Sequence, residues 1–192
     1  MKELTIIGQG IKIFLLSQRR KIFGFKQYRG NTHQICRSII EDCWHEKEGF
    51  FSASAGHFNI FYIRDFGWCC ESLLTLGYRD RVKKTLIFAL KHYQKHGSLT
   101  TCITASGTCF DFPSYSIDSL PYLLRSLNLL GDKTLIQHFE PFLNKEISKF
   151  YDVAIDPKTG LVRENTYFSS MRDQVIRKSS CYDNCMAALL QS

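Results

Sequence analysis

The sequence predicts an all-α fold of about six helices, paired into hairpins, with long polar loops gathered at one end. Three observations point there. Apolar residues recur at helical spacing through most of the chain after residue 31, as in Leu120, Leu123, Leu124, Leu127 and Leu130. Glycines stand where such stripes stop, at Gly77, Gly97 and Gly131, and glycine best accepts the left-handed turn that follows a helix. Short glycine turns alternate with long segments rich in Ser, Thr and aromatic residues, as a ring of helical hairpins requires.

Composition bounds the rest. The 192 residues suffice for one domain with a real core. Hydrophobic residues make up 44% of the chain, which places it among globular proteins. The formal net charge of +7 is largely local. Lys12, Arg19, Arg20, Lys21, Lys26 and Arg29 crowd the N-terminal segment, where Glu3 is the one acid before Glu41. No basic helix with interleaved base-stacking residues follows, which argues against a nucleic-acid partner. Eight cysteines form no CxxC pair, so reduced thiols in a cytoplasmic protein are expected. Cys181 and Cys185 share a helix face without a His or second Cys pair to complete a zinc site, and His92 and His96 lack a third ligand. No metal and no cofactor is therefore expected. No run approaches the roughly 20 apolar residues of a membrane helix, so no membrane partner is expected either.

In chain order, residues 1–30 read as a basic extension, with a short strand at Leu4–Ile7 and a short helix from Ile11 to Phe23. The domain proper runs over 31–192. Asn31 or Thr32 caps a helix to about Lys47. A loop, Gly49 to Asn59, leads to a second helix from near Asp65 to Gly77 and a third from about Tyr78 to His96. A long loop over about 98–115 precedes a fourth helix from about Ser116, with Pro121 in its first turn. The fifth spans about Asp132 to Asp152, where Pro141 predicts a kink or a break. A turn at Asp156–Gly160, an irregular segment to Lys178 and a last helix over about 180–191 complete the chain.

The stretch from Phe58 to Trp68 carries the most specific chemistry. It places Arg64 and Asp65 between aromatic residues, after a Gly/Ser/Ala loop and at a helix entrance. A carboxylate and a guanidinium can form charge-assisted bonds to sugar hydroxyls while rings cover the C–H face. The plainer alternative is a helix-capping aspartate beside a surface arginine.

The order of motifs resembles the (α/α)6-toroid glycosidases of the six-hairpin superfamily, with most likeness to the amylo-α-1,6-glucosidase (glycogen-debranching) and glucoamylase groups. Tyr62-Ile63-Arg64-Asp65 is similar to that family's Arg-Asp signature. Tyr115-Ser116-Ile117-Asp118-Ser119-Leu120-Pro121 resembles its Tyr-x-x-Asp-x-x-Pro stretch, and Gly131-Asp132 with Asp156-Pro157-Lys158-Thr159-Gly160-Leu161 its next hairpin and turn. Ser170-Met171-Arg172-Asp173 and Cys181-Tyr182-Asp183-Asn184 resemble a Thr-Trp-Met-Asp segment and the acidic-x-Asn helix start beyond it. Here Arg172 separates Met171 from Asp173, and the tryptophan is absent.

The resemblance implies a partial (α/α)6 toroid, the N-terminal half only, and an inverting acid/base mechanism on α-glucans or oligosaccharides. It implies Asp173 as general acid, with Glu164 in the same loop as the alternative, and a catalytic base that belongs to a later segment, so that the isolated chain is inactive. Arg64, Asp65, Asp118 and Asn184 are its implied sugar-binding residues, Asp111 lies in the same groove, and Tyr62, Trp68 and Tyr115 are stacking candidates. Each also has a plain structural reading: a turn acid, a first-turn helix acid or a core ring. The alternative to a hydrolase is a non-catalytic carbohydrate-binding or helical scaffold module that completes its ring by pairing with another chain.

Overall fold

The computed structural model describes residues 2–191 apart from 57, 112, 113, 170–175, 177 and 179, and gives only the backbone of 2–6, 9, 12 and 13. Helix α1 (Lys2–Phe23) is continuous, where the sequence predicts a strand and a shorter helix. A helix closes its backbone hydrogen bonds locally, whereas a strand at Leu4–Ile7 needs a neighbour to pair with. Helix α2 (Thr32–Cys43) opens on a reciprocal capping box between Asn31 and Gln34. It ends earlier than predicted because Trp44–His45 (β1) turns back and pairs with Phe50–Phe51 (β2). Phe50 stacks on Phe88 with centroids 4.4 Å apart, and the Phe51 amide donates to the buried Thr85 hydroxyl, so this hairpin is anchored in the core.

Phe61–Tyr62 (β3) leads directly into α3 (Ile63–Thr75), and a tight turn through Gly77 leads to α4 (Arg79–His96). The long loop beyond α4 contains Cys102–Ile103 (β4) and Cys109–Phe110 (β5). Helices α5 (Ser119–Leu130) and α6 (Lys133–Ala154) form a second hairpin across Gly131, whose φ of 67° is the left-handed value that favours glycine. Asp132 caps α6 by accepting from the Leu135 amide, and α6 runs unbroken through Pro141. Helix α7 (Cys181–Gln191) follows the segment that contains the undescribed residues.

The expected all-α fold is therefore corrected. Among the described residues, five short strands form two antiparallel sheets, β1-β2 and β3-β4-β5, and a mixed architecture of this kind is not a pure (α/α)6 toroid. The labels of toroid glycosidase, glucoamylase-like and debranching-like, drawn from the order of motifs, conflict with this mixed architecture and are corrected with it. The strands have a physical origin. Phe50, Phe51, Phe61, Cys102, Ile103 and Cys109 lie in the long loops and are buried. Buried backbone must pair its N–H and C=O groups, and loop segments that run side by side do so as strands.

One apolar core, from Phe50 on β2 to Ala187 on α7, joins α3–α7 with the loops. Helix α3 packs on α5, and α5 on α7, while α4 and α6 lie behind them. Helices α3 and α5 come close at Gly67, where a β-carbon would fall 2.6 Å from Tyr122 Cβ on α5. None of the eight cysteines forms a disulfide. No helix among the described residues is long and apolar enough to cross a membrane.

Candidate functional site

Adjacent positions on a helix point about 100° apart. On α3 this separates two faces. Arg64, Gly67, Trp68 and Glu71 line the seam against α5, where they meet Asp118, Tyr122 and Arg125. Asp65, Phe66, Cys69 and Leu73 line a cavity beside α2. Tyr62 is the N-cap residue and no side chain caps the helix, so Asp65 is a first-turn acid and not the cap.

The seam converges on Asp118, which is fully buried at the N-cap position of α5 and makes no capping bond there. Arg64 Nε donates to its Oδ2 at 2.5 Å, and the Tyr182 hydroxyl donates to the same oxygen at 2.8 Å. The Ser116 hydroxyl donates to Oδ1 at 2.6 Å. Thus α3, α5 and α7 bring their N-terminal ends to one carboxylate. Each end carries partial positive charge, which favours an anion there. The Arg64 side chain is only 19% exposed, so the ion pair is screened little by water. Desolvation, reinforced by the Asp118 charge, pushes the Tyr182 phenol far above its ordinary range, so it stays a donor.

The cavity is different in kind. Its volume is about 190 Å³, and its walls are mostly apolar: Ile39, Ile40, Phe51, Phe66 and Leu73, with Ser52, Tyr62 and Asp65 as polar points. Asp65 as a residue is exposed, yet its carboxyl end sits in this wall. Desolvation there raises its pKa above the ordinary Asp range, against the opposing pull of Arg64. Desolvation likewise raises the thiols of Cys43 and Cys69, which line the same cavity. Trp68 stands at the edge of the seam, 51% exposed, with its indole N–H donated to the Tyr122 hydroxyl.

No family model matches the chain, and neither does any curated protein or solved structure. The site is read from its own chemistry alone.

The remaining predicted residues lie elsewhere. The Asp111 carboxylate accepts from the Thr101 amide at 3.0 Å and hydroxyl at 3.2 Å, and desolvation raises its pKa. Tyr115 packs edge-on against Phe168, with the Lys149 ammonium over its ring. The Asn184 side chain accepts from the Val162 amide and donates to the Ser180 carbonyl, and it shares a second cavity of about 590 Å³ with the exposed Glu164. Asp173 lies outside the described residues. So the structure joins Arg64 to Asp118, groups Tyr62 with Asp65, and pairs Glu164 with Asn184 in a separate cavity. Sequence reasoning missed Tyr182 and Ser116 as partners of Asp118. A serine two residues before the aspartate was a usable local signal for one of them, because Ser and Asp side chains close short-range hydrogen bonds. Among the described residues, no group of three or more His, Cys, Asp or Glu is placed to hold a metal ion.

Proposed function

We propose that this chain is a carbohydrate-recognition domain that holds a glucosyl unit of an α-glucan or other oligosaccharide. One observation carries the reading: Asp65, held on α3 by the Arg64–Asp118 pair, presents a carboxylate in a cavity walled by apolar and aromatic side chains. Sugars present hydroxyls around their edge and C–H groups on their faces. A single carboxylate accepting two hydroxyl donors orients the edge, and apolar walls cover a face. Exposed Trp68 offers a further ring surface on the same helix.

Calorimetric titration with maltotetraose tests the reading. Saturable, stoichiometric binding is expected, weakened by Trp68→Ala without a loss of fold. No heat of binding over the accessible concentration range would refute it. A coupled assay for released glucose in the same solutions separates recognition from hydrolysis: binding without glucose release is the expected result.

A further inference from the structure

The cavity beside Asp65 shares Ile39 with a larger cleft of about 650 Å³. The end of α1, the turn after it, α2, and Ser54, Ala55, Gly56 and Phe58 form its walls. Phe58 in this wall stands edge-on to Tyr62 in the cavity, with centroids 5.9 Å apart, so the two openings adjoin.

Their chemistry differs. Three cations, Arg19, Arg20 and Lys26, line the cleft against one carboxylate, Asp42. Asp42 is already engaged, by Lys26 and by the Tyr28 hydroxyl, which donates to it at 2.7 Å. That bond drives the Tyr28 phenol up to about 12. Arg19 and Arg20 have no ion-pair partner among the described residues. Arg20 is laid against the loop: a β-carbon on Gly56 would fall 1.3 Å from its Nη2. Its guanidinium carbon also lies 5.8 Å from the centre of the Phe25 ring. The cleft therefore presents two uncompensated guanidinium forks among aromatic rings, and such forks match the geometry of a carboxylate or a sulfate ester.

We propose that this cleft is a second subsite that takes the anionic group of an acidic oligosaccharide, carboxylate- or sulfate-bearing, whose neighbouring sugar unit lies beside Asp65. This inference rests on the carbohydrate reading above. It explains why the cationic excess of the chain is gathered at its N-terminal segment, next to the cavity.

Calorimetry on the full chain with maltotetraose, a monosulfated maltotetraose and inorganic sulfate tests it. The sulfated sugar is expected to bind about tenfold tighter than the neutral one at low salt, as two charge-assisted bonds would give. High salt should shrink the advantage. The R19A/R20A variant should remove it, as should Gly56→Ala, which displaces Arg20 by a separate route, while both keep the wild-type affinity for maltotetraose. Equal affinity for the neutral and sulfated sugars would overturn the inference and leave the carbohydrate reading standing. Inorganic sulfate bound as tightly as the sulfated sugar would overturn it as well, because the anion site would then be independent of any glycan. Absence of maltotetraose binding would instead refute the carbohydrate reading itself.

Discussion

Arg64 and Asp65 are neighbours in sequence and opposites in use. Arg64 turns into the helix seam and ends on a buried carboxylate that has three donors, Arg64 among them. Asp65 turns to a cavity wall where desolvation opposes its charge. The first region is bonded within the chain and ties three helices together. The second lines a cavity, with a hydrogen bond to its own backbone. The contrast teaches that a charged pair read as one motif can divide into a half tied within the chain and a half turned to a cavity. The division follows from the roughly 100° step between adjacent helical residues.

Substitutions that cross this divide test it. The largest effect is expected from Arg64→Ala, which leaves Asp118 fully buried without its cation. Breaking a buried pair from one side costs about 3–5 kcal/mol, and chemical denaturation would read it as a lower midpoint with an unchanged slope. A loss below about 1 kcal/mol would mean that the pair is not part of the frame. Next is Tyr182→Phe, which removes one hydroxyl bond to the same carboxylate and so about 1.5–3 kcal/mol. Because Tyr182 lies on α7, hydrogen exchange should rise first in that helix.

The smallest effect on stability is expected at Asp65, and its size depends on pH. Folded Asp65 holds its proton to higher pH than the unfolded chain does. Well below the ordinary Asp range both states are protonated, and the residue adds no penalty. As pH rises through that range toward the raised folded value, the unfolded state ionises first and stability falls. An Asp65→Asn chain lacks this slope, so its melting temperature should gain on that of the wild type across the window. Parallel melting curves across those pH values would contradict the placement of Asp65.

The helices were legible because their signals are local. Stripes of Leu in α5, the glycine at its end and the Asp132 cap all act within a few residues. The strands were not legible, because β3 pairs with β4 some forty residues away, Phe61 opposite Ile103, and neither is long enough to show alternation. The candidate site divides in the same way. Asp118 reads as a sugar-binding residue or a first-turn acid, since nothing near it in sequence reveals that Arg64 and Tyr182 reach it from 54 and 64 positions away. Asp65 among aromatic residues was visible at once. Its separation from Asp111, Tyr115 and Asn184 was not, because those three are held by partners that only the tertiary fold supplies.

The most direct test of this division crosses two variants with two readouts, thermal stability and maltotetraose affinity by calorimetry. Asp65→Asn should melt no lower than the wild type and lose about tenfold or more in affinity, since it removes a charged acceptor. Tyr182→Phe should melt several degrees lower, as about 1 kcal/mol shifts a domain of this size by roughly 2–4 °C, while its folded fraction binds maltotetraose as the wild type does. An Asp65→Asn protein that binds maltotetraose as tightly as the wild type would contradict the account.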